Sequence, residues 1–196
     1  MISVVQLEEA FPARKIAPAL EKAFRTKLAF PRQVAHVSRS SLNLARGQWD
    51  AEAILEEMEK KFPGKGIVLG LFPHDLYVGS MNFVFGAAQL GGRTAILSYH
   101  RLKPPAARKK SEKKAVENLF IKRVEKEAVH ELGHVLGLHH CRDEHCVMSF
   151  SPSLYWVEFK SREFCPGCSE VFNDLLKERV PGAGGAGAAA AARRRK

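Results

Sequence analysis

The stretch HELGHVLGLHHCRDEHCVM, His130 to Met148, packs five histidines, two cysteines and two glutamates into nineteen residues. His130 and His134 are four apart, so on a helix their imidazoles share one face about one turn apart, close enough to bind one zinc ion. Glu131 is offset around the helix, beside the metal, where it can accept a proton from a zinc-bound water; its expected role is general base. A catalytic zinc takes a third protein ligand and leaves its fourth position open. His140 supplies that ligand if the helix breaks at Gly137, because a left-handed glycine lets the chain turn back. HExxH alone is a moderate signal, whereas HExxHxxGxxH with glycine at the break is much more specific. His139 lies one residue off this spacing, so it and His145 are expected at the surface or behind the ligands. The isolated His36, His74 and His100 read as structural.

All four cysteines follow closely, as Cys141, Cys146, Cys165 and Cys168. In a reducing compartment this clustering argues for metal rather than two disulfides. A C-x4-C plus C-x2-C arrangement offers four soft thiolates, which suits a closed tetrahedral zinc site of structural type. It would tie the segment after His140 to the chain near Cys165. Two zinc ions per chain are expected, one catalytic and one structural.

Upstream, ISVVQL (2–7) reads as a strand and PARKIAPALEKAFRTKL (12–28) as a helix opened by proline. RQVAHVS (32–38) suggests a second strand, DAEAILEEMEKKF (50–62) a helix capped by Asp50, and GIVLGLF (66–72) a strand buried on both faces. NFVFGAA (82–88) and TAILSYH (94–100), separated by QLGGR, predict an antiparallel hairpin in an otherwise mostly parallel sheet. From about Ser111 the apolar spacing turns helical through Val116, Leu119, Phe120, Val124 and Ala128, up to Gly137. From Pro181 the chain is low-complexity and is expected to be a disordered basic tail.

At 196 residues and 45% hydrophobic content, one domain is the expectation. The longest uncharged run, Leu76 to Gly92, is broken by Ser80, Asn82, Gln89 and four glycines, so no membrane insertion is expected. The opening MISVVQLEEAFPARK carries acidic residues where a secretory signal needs an apolar core, which places the protein in the cytoplasm. The formal net charge is +10. Residues 101–114 carry seven basic residues against one acidic, and Arg193, Arg194, Arg195 and Lys196 end the chain. Such runs read first as solvated loop and tail.

The combination of HELGHVLGLHHC, CRDEHC, Val147-Met148 and Cys165-Pro166-Gly167-Cys168 resembles the archaemetzincins, a family within the metzincin zinc peptidases. The resemblance also takes in NFVFGAA and SYHRL, and is strong from about Ile67 to Cys168. It implies an α/β metzincin-type zincin fold: a twisted mixed sheet with one antiparallel edge strand, an active-site helix and a small C-terminal zinc-bound subdomain. On that basis residues 1–180 form one metallopeptidase domain, divided into 1–140 and 141–180. The resemblance assigns His130, His134 and His140 to a catalytic zinc, Glu131 to the base, and Cys141, Cys146, Cys165 and Cys168 to a second zinc. It puts Met148 in a tight turn beneath the histidines, and NFVFGAA at the sheet edge where a peptide could add as a strand. Tyr155 and Tyr77 are candidate oxyanion donors, each read first as a packing residue.

The expected partner is therefore a peptide or protein substrate, and the chain is expected to be a monomer. A non-catalytic zinc protein that binds nucleic acid or peptide through its basic segments is the alternative, and it leaves Glu131 without a role.

Overall fold

The computed structural model describes residues 1–31, 34–64 and 66–179. The basic tail expected from residue 181 lies outside them. The strands are β1 Ile2–Leu7, β2 Leu28–Ala29, β3 Val34–Ala35, β4 Leu42–Asn43, β5 Gln48–Asp50, β6 Ile67–Phe72, β7 Leu76–Tyr77, β8 Gly86–Ala88 and β9 Thr94–Ser98. The helices are α1 Ala17–Phe24, α2 Ala51–Lys61, α3 Lys113–Leu136, α4 Leu154–Phe159 and α5 Pro166–Arg179.

The main sheet runs β2-β1-β6-β9-β8, with β3 also pairing β1. Its pairings are parallel except for β8 against β9, where Gly86 faces Leu97 and Ala88 faces Ala95. This is the mixed sheet with one antiparallel edge that the sequence predicts. Its middle strand, β6, is apolar throughout because both faces are covered. Leu69 and Leu71 of β6 join a cluster with Leu20 of α1 and Val124, Ala128 and Leu132 of α3, while Val68 and Phe72 pack with Ile54, Leu55 and Met58 of α2. On the α2 face, a Cβ on Gly70 would stand 2.7 Å from Leu7 Cδ1 and 3.0 Å from Met58 Sδ, so those side-chain ends pack directly on the strand.

The structure also departs from the sequence-based outline. The helix expected over 12–28 is a 3-10 turn, Ala13–Lys15, followed by α1. Pro18 at the start of α1 has no N–H to continue the earlier turn, and Arg25 ends the helix in the left-handed region at φ 50°. The strand expected over 82–88 is confined to Gly86–Ala88, preceded by a single bridge from Val84 to Leu76. A small sheet, β4-β5-β7, was not anticipated, since its strands are only two or three residues long. Asp50 does cap α2, accepting from the N–H groups of Glu52 and Ala53 at 3.0 and 3.2 Å.

The C-terminal segment shares the core beneath α3. Cys146, Val147, Met148, Val157 and Phe172 belong to the same apolar cluster as Leu20 and Leu132. Phe172 stacks on Phe164 at 5.3 Å, and both rings meet Phe24 of α1 edge-on.

Candidate active site

Helix α3 ends where the sequence places its break. Gly137 adopts φ 108°, ψ 4°, donating its N–H to His134 O at 2.9 Å, and Leu138 N donates back to Gly133 O at 3.0 Å. This reversal is the left-handed cap that favours glycine, and it brings His140 back over the helix. The rings of His130, His134 and His140 then lie 4.6 to 5.3 Å apart between centroids, with one nitrogen from each within 4.8 Å of the others.

The hydrogen bonds behind these rings set which nitrogens face inward. His130 Nδ1 lies 2.8 Å from Val147 O, and His134 Nδ1 lies 2.7 Å from Leu138 O. A carbonyl only accepts, so each Nδ1 is the donor and each neutral ring keeps a bare lone pair on Nε2. Those two Nε2 atoms face one another at 3.1 Å. Two lone pairs in that position repel unless a cation lies between them, and tetrahedral zinc with Zn–N bonds of about 2.0–2.1 Å sets its nitrogens roughly 3.3 Å apart. Burial keeps both rings in the neutral, ligating form: it drives His130 well below the ordinary histidine range and His134 to about 4. His140 is exposed, on the open side of the group, against Phe150 at 5.2 Å.

Glu131 stands beside the histidines with only 4% of its surface exposed. Burial first, and then the charge of Glu127, hold its carboxyl well above the usual range, while the Lys160 ammonium pulls the other way. Across from it runs β8, where a Cβ on Gly86 would lie 2.5 Å from Glu131 Oε1. Between β8 and the histidines opens a cleft of about 970 Å³, rimmed by Glu52 and Glu56 of α2, Phe83, Leu90 and Phe150.

Beneath the histidines Met148 is fully buried against Gly133, where a Cβ would come within 3.0 Å of Met148 Cε. Lys160 is also fully buried. Its Nζ lies 2.8 Å from Glu127 Oε1, 3.4 Å from Ser149 O and 3.5 Å from His130 Nδ1. The four cysteines are unbridged and converge on a second centre: Cys141 Sγ and Cys165 Sγ are 3.7 Å apart. That is far beyond a disulfide bond, and it matches the roughly 3.8 Å between two thiolates on tetrahedral zinc with Zn–S of about 2.3 Å. The N–H groups of Cys165 and Cys168 point at Cys146 Sγ and Cys165 Sγ at 3.3 and 3.4 Å. Burial pushes the Cys146 thiol up to about 11, so a thiolate there needs a cation to stabilise it.

Every ligand candidate from the sequence thus falls into one of two groups. His139 and His145 lie outside both: His139 is exposed on the cleft, and His145 packs on Phe159 at 4.6 Å. Neither tyrosine lines the cleft; Tyr155 is exposed and stacked on Phe159, and the Tyr77 ring lies under Arg46. The sequence reading passed over Lys160, Glu127 and Gly86. Glu127 was detectable, being four residues before Glu131 on the same helix face, and a glycine inside a strand signals a close approach.

Residues 19–174 match the description of peptidase family M54. An archaemetzincin of Methanopyrus kandleri is 41% identical over 143 residues, 73% of this chain and 76% of that one. The crystal structure of the archaemetzincin from that organism superposes with a TM-score of 0.79 at 34% identity, covering 90% of this chain and 94% of its own. The archaemetzincin of Archaeoglobus fulgidus, complexed with malonate, gives a TM-score of 0.73 at 35% identity, covering 87% of this chain and 99% of its own. The chain belongs to the archaemetzincins, peptidase family M54, and is a zinc metallopeptidase.

Proposed function

We propose that this chain hydrolyses peptide bonds with Glu131 as general base, His130, His134 and His140 holding a catalytic zinc, and Cys141, Cys146, Cys165 and Cys168 holding a structural one. The supporting observation is the position of Glu131, buried beside three converging imidazoles and against β8 at Gly86. Zinc held by the histidines supplies Lewis acidity, which lowers the pKa of water and polarises a carbonyl. Glu131 takes the proton from the attacking water and returns it to the leaving amine, a cycle that suits a carboxyl whose proton affinity is raised. Val147 O and Leu138 O hold two of the imidazoles in the tautomer that ligates. Among the described residues β8 ends the sheet, and its outer edge offers backbone groups to an extended substrate. The nucleic-acid alternative leaves both the burial of Glu131 and its contact with β8 without a purpose.

Elemental analysis with a cleavage assay tests this reading. The native protein should hold two zinc ions and a His134→Ala variant one, while Glu131→Gln keeps both and loses hydrolysis. Cleavage by zinc-loaded Glu131→Gln at the native rate would remove Glu131 from the mechanism.

A further inference from the structure

Beyond Phe83 and Phe85 the cleft continues into a second hollow of about 520 Å³, and these two rings form a wall common to both. The two hollows differ in charge. The main cleft carries Glu52, Glu56, Glu127 and Glu131, whereas the second is lined by His100, Arg101 and Lys103 together with Ser153 and Leu154, and has no acidic residue among its lining side chains. Asp75 lies behind the wall and grips Arg101 through two hydrogen bonds of 2.7 Å each, which lay the guanidinium over the Phe83 ring at 4.1 Å. Arg101 is thereby fixed in place but largely neutralised. Lys103 is exposed and has no carboxylate within ion-pair distance among the described residues; its ammonium stands 5.2 Å from the Tyr99 ring. Pro104 follows it and limits its backbone to extended conformations, so the cation has a defined origin on the rim.

Resting on the peptidase reading above, we propose that this hollow is a substrate subsite for a carboxylate, with Lys103 as its principal cation and Arg101 over Phe83 as its floor. Distance sets the register. Phe85 and Phe83 lie one and three residues before Gly86, which faces Glu131, so at about 3.5 Å per extended residue the subsite begins within roughly 10 Å of the reacting centre. A substrate lying along β8 therefore presents a group one to three residues from its scissile bond. Lys160 neutralises Glu127, so Glu52 and Glu56 are the exposed carboxylates of the main cleft, and their contrast with Lys103 directs the acidic group of a peptide past the phenylalanines. The carboxylate can be a free C-terminus or an aspartate or glutamate side chain.

Binding to zinc-loaded Glu131→Gln protein separates these sources without relying on turnover. Four versions of one short peptide serve as probes, combining a C-terminal acid or amide with Glu or Gln at an internal position. By calorimetry, one carboxylate form should bind about two- to fivefold tighter than its uncharged partner, as expected of an exposed ion pair, and the preference should shrink as salt rises. The preference should vanish in Lys103→Met and reverse in Lys103→Glu. If the acid-to-amide pair carries it, the subsite takes a C-terminus; if the Glu-to-Gln pair does, it takes a side chain. Affinities within about twofold for both pairs, or a preference that survives Lys103→Met, would overturn the subsite while leaving hydrolysis untouched. Failure of the native enzyme to cleave any of the four peptides, with the carboxylate preference intact, would count against the peptidase reading alone.

Discussion

Gly86 of the edge strand leaves no space between itself and Glu131: a Cβ there would stand 2.5 Å from the carboxylate oxygen and 2.7 Å from Cδ. The missing side chain is what lets β8 lie against Glu131, the proposed general base. Gly86→Ala must push one of them aside, and β8 is held by its ladder to β9. Glu131 should therefore move. A displacement of about 1 Å in a catalytic group costs about 100-fold in rate, so kcat should fall by that order with zinc content unchanged. Parallel kinetics and metal analysis check it; a variant with native kcat would show that the strand, not the carboxylate, yields.

The buried Lys160–Glu127 pair predicts an asymmetry between single and double substitutions. Lys160→Met leaves Glu127, 3% exposed, without a counter-ion, and breaking such a pair from one side costs about 3–5 kcal/mol. Glu127→Gln combined with Lys160→Met removes both charges and should recover most of that loss. Urea unfolding of the zinc-loaded proteins measures both. Because Lys160 also touches His130 Nδ1 and Ser149 O, a double variant that is stable but slow would show that the ammonium positions the ligand as well as neutralising Glu127.

How much of this was legible in the sequence follows from which interactions are local. His130, His134 and Gly137 act within one helix, where spacing alone dictates geometry, and the apolar run of β6 states its own burial on both faces. The hairpin partners are close in sequence, so β8 and β9 were recognisable even though β8 proved shorter than expected. Lys160 carries no local signal: its role comes from meeting Glu127, 33 positions earlier, after the chain has wrapped beneath α3. The three short strands of the second sheet likewise owe their pairing to tertiary contacts, since two or three residues establish no periodicity.

The cysteine cluster should behave as a folding site. Cys146 is 1% exposed, and the N–H groups that point at the sulfurs of Cys146 and Cys165 come from Cys165, just before α5, and from Cys168 in its first turn. If the cluster holds zinc as proposed, losing it leaves the half-buried Cys141 and Cys165 thiols crowded at 3.7 Å with no cation between them. Cys146→Ser should therefore bind one zinc fewer and melt well below the native protein, and prolonged chelation should lower the native melting temperature towards the variant's. Thermal unfolding with and without chelator tests this. A variant that loses a zinc but keeps the native melting temperature would make that metal a passenger.

The Asp75–Arg101 pair makes a separate prediction about acid. Burial alone would raise the Asp75 carboxyl, but the hydrogen bonds from Arg101 and Gln48 outweigh it and hold the group below its ordinary value of 3.8. A depressed folded-state pKa contributes stability that is fully present above the unfolded value and is lost as pH falls through the folded one. The native protein should thus exceed Asp75→Asn in stability by a constant margin at neutral pH, and the margin should shrink only below about pH 4. Acid loss of zinc affects both proteins alike, so the difference between their unfolding curves from pH 7 to pH 2 isolates the pair. The same substitution releases the Arg101 guanidinium from its carboxylate beside Phe83. If that guanidinium forms the floor of a carboxylate subsite, Asp75→Asn should leave the preference for the carboxylate peptide equal or stronger at pH 7 while stability declines. A fall in both would mean that Asp75 is needed to aim Arg101 rather than merely to offset its charge.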